Sequence, residues 1–151
     1  MSKEKPCLGL RAAQPEDLDK LLELVKQFNK EVIEEFGIFT NDELARSVIT
    51  KCIPTSFVLE HKRELVGVIG GVKTTFPLNQ EVMYHELIWY VLPEHRSQGL
   101  RLYNKLEEYC KTEGITKIVM TLMANSMANR LQRVYTRLGY KLLEKHYIKE
   151  I

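Results

Sequence analysis

The chain has 151 residues, a formal net charge of +2, 44% hydrophobic and 28% charged residues. That length suits one domain burying roughly 70% of its unfolded surface, so neither a disulfide nor a metal is needed as a staple. The small, scattered charge excludes a duplex-binding protein held by phosphate contacts, and no apolar run approaches the roughly 20 residues of a membrane span.

The pattern along the chain alternates. Residues 8–12 are short and apolar and read as a first strand. At Gln14-Pro15-Glu16-Asp17 a helix begins, with proline in the first turn and acids where the dipole favours them. Leu18, Leu21, Leu22, Val25 and Phe28 follow at helical spacing. A second helix starts near Thr40-Asn41-Asp42-Glu43, buries Leu44, Val48 and Ile49, and stops before Pro54. Residues 56–60 and 65–74 flank the polar turn 61–64 as a hairpin. Gly67, Gly70 and Gly71 mark a bend or a close backbone approach in its second strand. Residues 82–92, aromatic and β-branched, are the strongest strand signal, and Pro93 stops it. Leu102, Leu106, Tyr109 and Cys110 define a helix from Gly99 to Gly114. Residues 117–122 form a buried strand. Met127, Leu131, Val134, Tyr135 and Leu138 define a last helix, capped by Asn125 or Ser126 and ended by Gly139. Residues 140–143 and 145–149 close the chain as two strands. The expected class is α/β in the α+β sense, a single domain over 1–151. Its mixed, mostly antiparallel central sheet carries helices on both faces.

Residues 1–6 are charged and lack the apolar core of a secretory signal. Cys7, Cys52 and Cys110 are far apart, as are the four histidines. Reduced thiols, no metal site and a cytoplasmic location are expected.

The chemistry concentrates between Tyr84 and Arg101. A strand runs into Leu92-Pro93-Glu94-His95, and Arg96-Ser97-Gln98-Gly99-Leu100-Arg101 opens a helix. Amides at a helix N-terminus lack intrahelical partners and, with the dipole, suit a diphosphate. Gly99 lets the backbone approach a ligand with no Cβ in the way. Alone, this strand–loop–helix reads equally as an ordinary turn. GxxxxGK[ST] and GxGxxG are both absent, which excludes the P-loop and the dinucleotide fingerprint.

Two motifs in order sharpen the reading. Val91-Leu92-Pro93 followed by Arg96-Ser97-Gln98-Gly99-Leu100 resembles the cofactor motif of the GNAT acetyltransferase family. Asn125, Asn129 and Tyr135-Thr136-Arg137-Leu138-Gly139-Tyr140 resemble that family's second motif. The resemblance runs from Leu10-Arg11 to Ile151. The family usually has glycine or alanine where Arg101 stands; a long side chain there either crowds the diphosphate or turns away.

The resemblance implies a splayed parallel pair, strands 82–92 and 117–122, with acetyl-CoA as co-substrate in the opening. It implies that backbone groups of Tyr90, Val91 and Leu92 bind the pantetheine, and that the N–H of Val91 or Leu92 polarises the acetyl carbonyl. The amides of Arg96, Ser97, Gln98, Gly99, Leu100 and Arg101 would hold the diphosphate. Asn125 would satisfy the splayed strand or cap the helix, and Asn129 would contact the cofactor. Trp89 and Tyr90 line the acceptor site or fill the core.

The implied reaction is direct attack of a neutral primary amine on the thioester, which requires a proton acceptor. Glu86 is the first candidate and His85 its rival. Alternation puts the two on opposite faces, so only one reaches the cleft unless a bulge intervenes. Tyr135 is expected to serve the departing thiolate; on spacing alone it reads as core. A small-molecule amine is the expected acceptor. A protein lysine or N-terminus is the alternative, and a non-catalytic acyl-CoA-binding module is another. Glu31, Glu34 and Glu35 favour a cationic acceptor or simply form a solvated helix face. A homodimer is expected by analogy, with no nucleic acid or membrane partner.

Overall fold

A computed structural model describes residues 8–124 and 127–151. Five strands form one sheet in the order β1-β2-β3-β4-β5. β1 (Gly9–Ala12), β2 (Phe57–His61), β3 (Glu64–Thr75) and β4 (Val82–Val91) are antiparallel in succession. β5 (Ile118–Val119) runs parallel to β4. α1 (Leu18–Val32) and α2 (Asp42–Cys52) cover one face, and α3 (Gly99–Thr112) covers the other; α4 is Ala128–Arg137.

Local chemistry explains the elements. Residues Pro15–Asp17 make a 3-10 turn that feeds α1. Arg11 grips the Asp17 carboxylate with both terminal nitrogens, at 2.7 and 2.9 Å, and reaches Glu60 at 2.7 Å, tying β1, β2 and α1 together. The Asn41 side chain caps α2 by accepting the Leu44 N–H at 3.1 Å. Lys62 and Arg63 take φ of 49° and 66° at the β2–β3 hairpin, the left-handed pair whose twist suits flanking strands.

Two cores result. Leu102, Leu106 and Cys110 of α3 pack on Leu59, Ile69 and Tyr84. Leu21, Leu22 and Ile49 of α1 and α2 pack on Val58, Val68 and Tyr90.

β3 and β4 slip register once. Gly70 opposes Ile88 and Gly71 opposes Glu86, which leaves Leu87 as the extra residue of a bulge. A Cβ on Gly71 would sit 2.1 Å from the His85 carbonyl oxygen, so only glycine permits the approach. The sequence's glycine cluster therefore marks the close contact it suggested.

Three expectations are corrected. Leu44 and Val48 are 67% and 51% exposed; of the three residues expected to be buried on α2, Ile49 alone is. The strand expected over 117–122 is only Ile118–Val119, because β5 leaves β4 after two pairs. Residues 140–143 and 145–149 form no strands. The segment 141–151 is exposed and makes no backbone hydrogen bond to another element among the described residues. β-propensity takes effect only against a neighbour, and a two-residue β5 offers a short template.

Candidate active site

The site is built where β4 and β5 part. They pair only at Tyr84–Ile118 and His85–Val119. Beyond that point the β5-side edge of β4 is open. The Leu92 N–H donates to Val66 O at 2.8 Å, so that amide is already used. Strand amides alternate in direction, which turns the Val91 N–H toward the open edge. Of the two amides expected to face a carbonyl, Val91 has the right direction and Leu92 does not. The Val91 carbonyl on that same edge accepts from Arg96 Nε at 3.1 Å.

The bulge decides what Glu86 faces. In an unbroken strand Glu86 would share a face with Ile88 and Tyr90, which pack toward α1 and α2. The extra residue Leu87 resets the alternation, so Glu86 joins Tyr84, Trp89 and Val91 on the α3 side. Its side chain is buried, with 3% of the residue exposed. Oε2 accepts the Thr121 N–H at 2.9 Å, and the Thr121 hydroxyl donates to the Glu86 carbonyl at 3.3 Å. Burial lifts the carboxyl to about 7, against which the two Thr121 contacts pull weakly. His85 lies on the opposite face, on the still-paired part of β4.

Tyr135 reaches the same threonine. Its buried hydroxyl donates to Thr121 O at 2.8 Å. One peptide residue therefore joins both catalytic candidates, its N–H to Glu86 and its C=O to Tyr135. Burial first, then the nearby Glu86 charge, pushes the Tyr135 phenol well above its ordinary range, so it stays a neutral donor. Trp89 stacks on it with ring centroids 6.3 Å apart and donates Nε1–H to Gly99 O at 3.2 Å. Trp89 is thus a core residue behind the site. Thr121 was missed in the sequence because its role comes from strand divergence, which has no local signature.

The segment before α3 departs from expectation. Pro93–Gln98 is a 3-10 helix rather than an open turn, since proline and Glu94 favour a helical first turn. The His95 N–H bonds to Leu92 O, and the Gly99 N–H bonds to Arg96 O. The Gly99 amide is therefore paired, though 3-10 bonds have poorer geometry than α-helical ones. Gly99 has φ of −59°, and a Cβ there would meet nothing closer than 3.7 Å. The protein's own packing gives no reason for glycine at the start of a helix. The absence of a Cβ leaves room beside the backbone at this point. Ser97 and Leu100 are exposed beside it, and Gln98 is half-buried.

Two arginines of the motif are engaged by groups of the chain itself. Arg96 bonds to the Glu31 carboxylate, and Tyr90 O–H donates to the same group at 2.7 Å. Burial alone would raise Glu31, but these two hydrogen bonds more than offset it and leave its carboxyl below the ordinary range. Tyr90 therefore belongs to the α1 side. Arg101 spends its guanidinium on Leu8 O at 3.0 Å and Gln98 Oε1 at 3.1 Å, so it does not crowd the loop. Asn129 is exposed on α4 beside Arg133 and Arg137, away from the Glu86–Thr121–Tyr135 group. Asn125 and Ser126 lie outside the described residues.

A family model described as the acetyltransferase (GNAT) family matches residues 18–140. Comparison with curated protein sequences finds no match. The fold is similar to that of a ribosomal-protein-alanine N-acetyltransferase from Brucella melitensis biovar Abortus 2308, with 13% identity, 97% of this chain and 100% of that one covered, and a TM-score of 0.74. An aminoglycoside acetyltransferase from an uncultured soil metagenomic sample gives 16% identity, coverages of 97% and 99%, and a TM-score of 0.72. A predicted acetyltransferase from Clostridium acetobutylicum, solved with acetyl-CoA, gives 16% identity, coverages of 95% and 96%, and a TM-score of 0.72. The chain belongs to the GNAT acetyltransferase family and is an acetyltransferase that uses acetyl-CoA. No helix among the described residues is long and apolar enough to cross a membrane.

Proposed function

We propose that the chain acetylates a primary amine on a small molecule by direct attack on the acetyl-CoA thioester. The observation that carries this reading is the Glu86 carboxyl, sealed beside the open edge of β4 with a pKa lifted to about 7. A base poised near neutrality takes a proton from an ammonium or an attacking amine efficiently. In the proposed step the amine nitrogen bonds to the acetyl carbon, its proton passes to Glu86 directly or through water, and the carbon–sulfur bond breaks. The Val91 N–H supports the carbonyl oxygen as charge develops. Tyr135 exchanges its bond to Thr121 O for one to the departing sulfur. The diphosphate oxygens displace the carbonyl acceptors of the 3-10 turn and take the amides of the segment 96–101, and Gly99 leaves the space for them.

Titration calorimetry with acetyl-CoA, followed by an acceptor screen that reads free thiol, tests the proposal. Binding of acetyl-CoA without thiol release by any amine would reject it in favour of a binding module. Release only with peptides would replace the small molecule by a protein acceptor.

For assembly we propose a homodimer. The outer edge of β5 is unpaired among the described residues, and Leu142, Leu143 and Ile148 are each more than 60% exposed on the arm 141–151. Unpaired edges and apolar arms of this kind are contact surfaces. Light scattering of the full chain at a single-chain mass would reject the dimer.

A further inference from the structure

The α1–α2 face carries a second feature that the acetyl-transfer chemistry does not use. A groove of about 390 Å³ opens between the two helices and the sheet, within the usual range of small-molecule sites. Val25, Phe28, Leu44, Val48, Leu87 and Ile88 are among its walls. No charged side chain lines it. Three of its polar members are already committed: Asn29 Nδ2 donates to Ile38 O at 3.1 Å, Asn41 Oδ1 accepts the Leu44 N–H at 3.1 Å, and Ser56 Oγ donates to Cys52 O at 2.7 Å; Thr40 and the Cys52 thiol are the others. Its mouth is apolar as well, with Phe39, Leu44, Val48 and Leu87 between 47% and 71% exposed. Exposed apolar side chains gathered round one concavity mark a binding surface rather than ordinary scatter.

The groove borders the strand that carries the proposed base, although the Glu86 side chain itself lies on the opposite, α3 side of the sheet. Leu87 is the unpaired bulge residue and Ile88 follows it, and both directly succeed Glu86 on β4. An amine that reaches the parting of β4 and β5 from this side leaves its body in the groove.

The acids nearby do not make this a cation site. Glu31 is taken by Arg96 and Tyr90, Asp42 pairs with Lys26 at 3.3 Å, and Glu34 and Glu35 do not line the groove. A polyamine or an aminoglycoside would place its additional ammonium groups against aliphatic and aromatic walls, where unpaired charge is heavily penalised.

We infer that the acceptor is a monoamine on an apolar body, an alkyl or aralkyl amine, whose body occupies this groove. The inference rests on the proposed acetyl transfer to a small amine and names the chemistry of its acceptor.

The test is a thiol-release assay at fixed acetyl-CoA with 2-phenylethylamine, hexylamine, spermidine, kanamycin and a short alanine-terminated peptide. The two apolar monoamines should exceed the others in kcat/KM by at least tenfold. Val48→Asp places a charge in the groove at a half-exposed helix position, where the fold tolerates it; a melting curve checks that. It should raise KM for 2-phenylethylamine at least tenfold and leave KM for acetyl-CoA unmoved. A preference for spermidine, kanamycin or the peptide overturns the inference while acetyl transfer stands; so does a Val48→Asp protein with unchanged KM. If no amine releases thiol, calorimetry with 2-phenylethylamine in the presence of CoA decides separately. Binding that Val48→Asp abolishes keeps the groove and rejects the transfer reading, whereas no binding rejects the groove.

Discussion

Two side chains, Glu86 and Tyr135, carry the proposed chemistry, and their environments set what each can do. Glu86 keeps its proton in the folded protein up to about pH 7, whereas the same group ordinarily loses it near 4.5. Across that window the unfolded chain releases a proton that the folded one retains. Stability therefore falls as pH rises through it, by about 3 kcal/mol in all for a shift of this size. Glu86→Gln is neutral at every pH and escapes the loss. Its melting temperature should exceed that of the parent at pH 8, with the gap closing toward pH 4.5; an equal gap at both pH values would contradict a raised Glu86. Tyr135→Phe removes the hydroxyl but keeps the ring stacked on Trp89. Turnover should fall at least tenfold with acetyl-CoA affinity changed less than about twofold, a difference read by comparing kcat with a calorimetric Kd. Both residues were visible in the sequence, Tyr135 through its Tyr-x-x-Leu-Gly-Tyr setting and Glu86 through its strand. Thr121, which joins them, was not. Nothing local distinguishes it, and only the separation of two strands gives its peptide group two partners.

At the scale of elements, glycine placement does most of the positioning. Gly71 permits the bulge that turns Glu86 to the α3 side, and the sequence showed the glycines without showing which partner would approach. Gly99 is different, because neither its φ nor its neighbours require it. Gly99→Ala should leave stability unchanged or raise it by about 0.5–1 kcal/mol, as alanine does at compatible helical positions. It should weaken acetyl-CoA binding about tenfold or more by calorimetry. A stabilised variant with undiminished affinity would show that the loop holds no phosphate there. The helical periods of α1, α3 and α4 were legible because one face of each is apolar. The exposure of Leu44 and Val48 was not, since periodicity gives a face but not whether anything covers it. The 3-10 geometry of residues Pro93–Gln98 was also hidden. Proline and an acid favour a helical first turn whether or not amides are left free for a ligand.

For the whole molecule, the two covered faces follow from hydrophobic alternation, and the family motifs mark where the proposed chemistry lies. The far end of the sheet was misread. The segments 140–143 and 145–149 were expected to close the chain as strands, yet nothing among the described residues pairs with them. Pairing is a property of two segments, and the sequence displays only one at a time. A chain ended after Tyr140 should keep the circular dichroism of the full chain, because the segment 141–151 contributes no backbone hydrogen bond to the described fold. It should also run as a monomer by light scattering if the arm joins two copies. Loss of the fold on truncation would instead place the arm in the chain's own sheet.

The base is the keystone, and the pH dependence of kcat/KM for the parent and for Glu86→Gln tests it most directly. The parent should lose activity below an acidic limb near pH 7. The glutamine protein should bind acetyl-CoA normally, turn over at least a hundredfold more slowly, and lack that limb. A glutamine variant that kept both the limb and the rate would remove Glu86 from the reaction.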